Sequence, residues 1–263
     1  MRLIIQQSVV LILSTGIAVH AFANEFVHIP GGEIRSVVPE AEGDNLIAVA
    51  DFLVQVTPVT NAEFLRFVLH HPQWQRGRAV SLFVDDQYLA TWAGSISLGP
   101  EAGPQQPVTQ VSWFAANAYC ESQNSRLPSW YEWEYVAAAN ESMADARMLP
   151  EWNQDILSWY SQTGVDRIND VRSRPANYYN VFDSHGLVWE WVDDFNSFMV
   201  TGDNREQGGA DELQFCGAGA ITMEQKENYA VLMRIAMLSS LEARYTTRNV
   251  GFRCAQTEKS GSD

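Results

Sequence analysis

The residues with the densest chemistry lie in one stretch, Asp183-Ser184-His185-Gly186-Leu187-Val188-Trp189-Glu190-Trp191. Asp183 and Glu190 offer hard carboxylate oxygens, and Gly186 lets the backbone turn so that main-chain carbonyls can join them. Carboxylates and carbonyls converging on one point suit a calcium-type cation. Trp189 and Trp191 are too large to leave in water and carry indole N–H groups that need acceptors. Other candidates are dispersed. Glu134 is a possible general acid or base, although a carboxylate near a helix start more commonly ties down an arginine. His70 and His71 are adjacent and read as solvated loop residues. Asp193, Asp194 and Asn196 can coordinate a cation or form an ordinary acidic loop. Arg234, Arg244, Arg248 and Arg253 crowd the end of an acidic chain, where they can serve as internal partners for carboxylates.

The 263 residues carry 17 basic and 32 acidic side chains, a formal charge of −15. That surface argues against nucleic acid and against an anionic membrane as partner. Residues 1–23 have the pattern of a secretory signal: Arg2, an apolar run around Leu11-Ile12-Leu13, and Ala21-Phe22-Ala23 as a small-x-small cleavage site. The run is short for a membrane span, so no span is expected after cleavage. The expected location is periplasmic or secreted. The remainder, residues 24–256, is the size of one domain, and residues 257–263 are expected to be a disordered tail. Three cysteines, Cys120, Cys216 and Cys254, are consistent with one disulfide and one free thiol in an exported chain. Their spacing does not choose the pair.

The elements that must position these groups are short. Phe26 to Ile29 reads as a strand ended by Pro30-Gly31-Gly32, and a second strand lies near Leu46 to Val56. Thr60 or Asn61 caps a helix whose Phe64, Phe67 and Val68 share a face. Residues 72–106 form a long loop, ordered because Trp74 and Trp92 need burial. Ser112 caps a second helix. Ser129 with Glu132 makes a capping box for a third. Residues 140–176 read as irregular and polar.

The order of motifs resembles that of one family. Val59-Thr60-Asn61-Ala62-Glu63-Phe64, Val108 to Cys120, Arg126 to Tyr135, Asn177 to Trp191 and Asn249-Val250-Gly251-Phe252-Arg253-Cys254 are each similar to a motif of the formylglycine-generating enzymes, or sulfatase-modifying factors, and they fall in the same order. The resemblance covers nearly the whole chain after the leader. It implies an irregular, loop-rich α+β fold related to C-type lectins and braced by calcium. Carried over by position, Asp183 and Glu190 would give side-chain oxygens, and Gly186 and Val188 main-chain oxygens, to one structural calcium. Leu187 stands where the family has asparagine. The resemblance also implies a Cys120–Cys254 disulfide. A second family disulfide would join the positions of Ala137 and Ile235, and both of its cysteines are absent.

The departure is catalytic. Formylglycine generators bind copper(I) through two cysteines, because soft thiolates suit that ion. The matching stretch, Ile221 to Ala230, has no cysteine, so no copper is expected there. Cys216 lies in Phe215-Cys216-Gly217-Ala218-Gly219-Ala220, at the basic residue of a family motif. It is either a buried small hydrophobe or a reactive thiol, and so a candidate catalytic residue. Trp189, Cys216 and Arg234 would line the family's substrate groove. The expectation is an accessory or maturation factor acting on a protein or peptide partner in the periplasm. The alternatives are an oxidoreductase of different chemistry on the same scaffold and a lectin-like binding module.

Overall fold

A computed structural model describes residues 25–36, 46–162, 168–196 and 229–258. The strands are β1 (Phe26–Ile29), β2 (Gly32–Arg35), β3 (Leu46–Val49) and β4 (Phe52–Gln55). The helices α1 (Asn61–His70), α2 (Trp113–Ser122), α3 (Trp130–Ala137) and α4 (Pro150–Gln162) follow. Then come β5 (Trp189–Glu190), α5 (Tyr229–Ser239), β6 (Val250–Gly251) and β7 (Ala255–Thr257). β4 is the centre of an antiparallel sheet ordered β1-β4-β7; β2 pairs with β3, and β5 runs parallel to β6.

The helix starts follow from local chemistry. Thr60 and Ser129 each accept from the backbone N–H three residues on, while Glu63 and Glu132 reach back to the cap N–H. These are full capping boxes, which satisfy two orphan donors at once. Ser112 caps α2 through Ala115 N–H. Phe64 of α1 stacks on Tyr119 of α2 at 5.8 Å and meets Phe252 edge-on at 6.1 Å, at the centre of the larger apolar cluster. A second cluster packs Ile29, Phe52 and Val54 of the sheet against Val136 of α3 and Tyr179. The loop over residues 72–106 is ordered around its tryptophan as expected. Trp92 is buried and donates to Asn61 Oδ1 at 3.0 Å.

Four expectations are corrected. The strand read over 46–56 is two strands, broken at Ala50-Asp51, where Asp51 Oδ1 accepts from Gly31 N–H at 2.7 Å. Residues 140–176 are not irregular throughout, because α4 crosses them; its Trp152 and Ile156 are buried with Ala146, and Trp159 packs against that cluster. Thr257 belongs to β7, paired with Phe52, and not to a tail. His70 ends α1 and His71 stacks on Phe67 at 4.5 Å, so the second of the pair is half-buried and not a solvated loop residue. Residues 1–23 and Cys216 lie outside the described residues. Among the described residues, no helix is long and apolar enough to cross a membrane.

Candidate functional site

The stretch from Asp183 to Trp191 is pinned by the chain's last motif. β5 pairs Trp189 with Val250 and Glu190 with Gly251. Trp191 donates its indole N–H to Val111 O at 3.0 Å. Gly251 has no room for a side chain, since a Cβ there would sit 2.7 Å from Val108 O. The turn before β5 needs positive φ at Asp183 (56°) and Gly186 (77°). A Cβ on Gly186 would also lie 2.7 Å from both Arg174 and Trp159, so this glycine admits α4 to the turn.

Glu190 is fully buried and its charge is met by Arg253. Nε donates to Oε2 at 2.9 Å and Nη2 to Oε1 at 2.7 Å, and Trp133 Nε1 adds a third bond at 3.1 Å. A bidentate arginine fork is the strongest way to hold a buried carboxylate. Arg234 is buried as well. Its Nη2 donates to Glu190 O at 2.6 Å and its guanidinium lies 3.5 Å from the Trp133 ring centroid. Trp189 belongs to the apolar core. Trp189 and Arg234, two members of the expected groove, are buried beside the pin, and the third, Cys216, lies outside the described residues. Of the four tail arginines, Arg253 and Arg248 pair with distant carboxylates, Arg248 with Glu101 at 3.0 Å, and Arg244 with nearby Glu242.

Glu134 is also structural. It accepts from Ser36 Oγ at 2.5 Å and Trp130 Nε1 at 3.0 Å, with Arg147 Nη1 at 3.4 Å. Asp194 accepts from Trp130 N–H at 2.7 Å at the start of α3, where a helix favours an anion.

The expected calcium ligands Asp183, Gly186, Val188 and Glu190 share the turn and the strand that follows it. Asp183 is buried; Oδ2 accepts from Arg172 N–H at 2.5 Å and Oδ1 from Ser173 Oγ at 3.3 Å. Burial pushes its carboxyl above the ordinary range, against the lowering by Arg172 N–H and by Arg253. A buried carboxylate left short of positive charge fits a hard cation. Both oxygens of Glu190 are already engaged, by the Arg253 fork and by Trp133.

A cavity of about 620 Å³ opens between α4 and the pin. Trp152, Trp159, Arg174 and His185 line it, with acidic Glu151 and Asp155 at its mouth. His185 Nε2 donates to Ala137 O at 2.7 Å. Its ring meets Trp133 and Trp152 edge-on, each at 5.6 Å. Burial lowers its pKa to about 4, and Arg234, Arg174 and Arg253 reinforce that, so the imidazole is neutral at pH 7. Arg174 lies 4.2 Å over Trp159, and its Nη1 is buried without a hydrogen-bond partner among the described residues. Asp183, which also lines the cavity, is legible in the sequence, whereas Trp152, Trp159 and Arg174 carry no sequence signal of a site. The spacing 152, 156, 159 was a helical signal hidden among polar neighbours.

A family model, the sulfatase-modifying factor enzyme 1-like domain, matches residues 18–258. The chain belongs to this family, with its mixed helix and sheet in a single domain. Among its relatives is a mouse protein named inactive C-alpha-formylglycine-generating enzyme 2, 24% identical over 90% of this chain and 87% of that protein. The formylglycine-generating enzyme of Streptomyces coelicolor is 26% identical over 87% and 88%. The serine/threonine-protein kinase pkn1 of Chlamydia pneumoniae is 25% identical, and the chain spans 38% of its length. Among solved structures, PvdO from Pseudomonas aeruginosa superposes with a TM-score of 0.47 at 17% identity, over 88% of this chain and 93% of that one.

Proposed function

We propose that this chain is an exported, non-orthodox member of its family, an accessory or maturation factor acting on a protein or peptide partner without copper-dependent formylglycine generation. The observation that carries this reading is the cysteine-free stretch Ile221 to Ala230 on a chain that keeps the family scaffold. Copper(I) needs soft thiolates, and Cys120 and Cys254 are joined to each other. That leaves Cys216 as the single remaining thiol. The word "inactive" in the mouse relative's name is consistent with such a member.

The cavity supplies a place for a partner. Its volume suits a small ligand or a peptide side chain. Aromatic walls and an acidic mouth favour a basic or aromatic segment. Two experiments test the reading. The copper-loaded chain, incubated with a sulfatase-type cysteine peptide, is expected to yield no aldehyde; conversion would overturn the reading. A photo-crosslinker at Glu151 in the native periplasm is expected to give one discrete adduct, lost in Trp159→Ala. The absence of any adduct would remove the partner.

Calcium is part of the same proposal. Asp183, Glu190 and the carbonyls of Gly186 and Val188 would hold it, and it would supply the charge that buried Asp183 lacks. Calcium at about a hundred times its Kd should add ~2.7 kcal/mol of stability. The expected result is a melting temperature that rises with calcium, falls with chelator and no longer responds in Asp183→Ala. A wild-type chain indifferent to calcium would mean that Arg253 alone neutralises the pin.

A further inference from the structure

We propose that His28, Asp51 and Glu258 form a binding site for a divalent transition cation of the zinc type, separate from the pin and its cavity. The three come from distant parts of the chain. His28 lies on β1, Asp51 in the turn between β3 and β4, and Glu258 directly after β7. The order β1-β4-β7 brings them to one end of the central sheet.

One ligand atom from each lies within 4.8 Å of the others. His28 Nε2 is 3.3 Å from Glu258 Oε2 and 3.6 Å from Asp51 Oδ2. Zinc binds histidine nitrogen and carboxylate oxygen at about 2.0–2.2 Å, and a tetrahedron of such bonds has edges of about 3.3–3.6 Å. The two separations from His28 match those edges, and Asp51 and Glu258 lie within 4.8 Å of each other, so closing these exposed side chains around an ion completes the third.

The donors are held from behind. The second oxygen of Asp51, Oδ1, accepts from Gly31 N–H at 2.7 Å, which fixes the carboxylate and leaves Oδ2 directed at His28. A Cβ on Gly31 would come within 2.7 Å of Oδ1, so the close approach needs glycine. His28 is fixed in register opposite Leu53 of β4.

The donor chemistry selects the metal. One imidazole with two carboxylates suits zinc and its first-row neighbours, whereas calcium and magnesium favour all-oxygen sets. All three side chains are exposed, so a fourth position is open to water or to an incoming ligand. The ion would also tie Glu258 to the strand at the other end of the chain.

The test is titration of the full-length chain with zinc and with cobalt(II), calcium being held in excess so that the pin is saturated. The expected result is one ion per chain, with tetrahedral cobalt bands and no thiolate charge-transfer band. His28→Ala should weaken binding by about a hundredfold and Glu258→Gln by about tenfold. Both side chains are exposed, and circular dichroism will verify the fold of each variant. Absence of binding to the wild type, affinity unchanged in His28→Ala, or a thiolate band placing the ion on Cys216 would each overturn the site. None of these outcomes bears on the accessory-factor reading.

Discussion

Arg253→Ala is expected to destabilise the chain by about 3–5 kcal/mol, the cost of leaving a buried carboxylate without its partner. Arg253 and Glu190 are both buried, and the fork between them is bidentate. The same guanidinium also donates to Gln55 O at 3.2 Å and Phe182 O at 2.9 Å, so its loss strands two carbonyls as well. Urea denaturation followed by tryptophan fluorescence reads the effect, since Trp133 donates to Glu190 and Trp191 follows it in the chain. The control is a cycle with Glu190→Gln. Removing the charge should make the Arg253→Ala step much less costly, because no unpaired anion then remains. A single-variant loss below about 1 kcal/mol would show that water compensates Glu190, which is the ordinary worth of an exposed pair. Calcium should stabilise the Arg253→Ala variant more than the wild type, because Glu190 is no longer shared.

The second large effect belongs to Cys120–Cys254. The pair spans 134 residues, with Cα atoms 5.5 Å apart and both side chains buried. In the chain-entropy treatment, closing so long a loop stabilises by roughly 4–5 kcal/mol, an upper-end figure. Cys120→Ala/Cys254→Ala should therefore lower the melting temperature more than Cys216→Ala. Under denaturing conditions the oxidised chain should show one thiol, and the reduced chain three. Two or more thiols before reduction, or equal melting temperatures for the two variants, would contradict the bridge.

The features legible in the sequence are the local ones. Thr60 with Glu63 and Ser129 with Glu132 announce their helices, because a capping box is complete within four residues. The disulfide was reached through the family resemblance, not through spacing. α4 was hidden because Glu151, Gln154, Asp155 and Ser158 outnumber the apolar residues that face the core. The break at Asp51 has no local signal because it depends on Gly31, in the turn between β1 and β2. The grouping of arginines near the end suggested internal partners, but no local rule pairs Arg253 with Glu190, 63 residues away. Trp189 and Arg234 enter a groove only through the family resemblance, and no local signal in the sequence foretells the bond from Arg234 to the carbonyl of Glu190. Family membership and the site's chemistry remain separate questions, since a scaffold can outlast the reaction it once carried.

The central strand β4 has one neighbour from each end of the described chain, β1 before it and β7 after it. Arg253 and Cys254 immediately precede β7. A chain emerging in order from its N-terminus therefore makes Glu190 well before the cation that neutralises it, and Cys120 well before its partner. Up to residue 252, closing the core would bury an uncompensated charge and leave one edge of β4 open. The last short segment thus closes the structure: the charge of Glu190, the sulfur of Cys120 and the open edge of β4 are all met by residues 253–257.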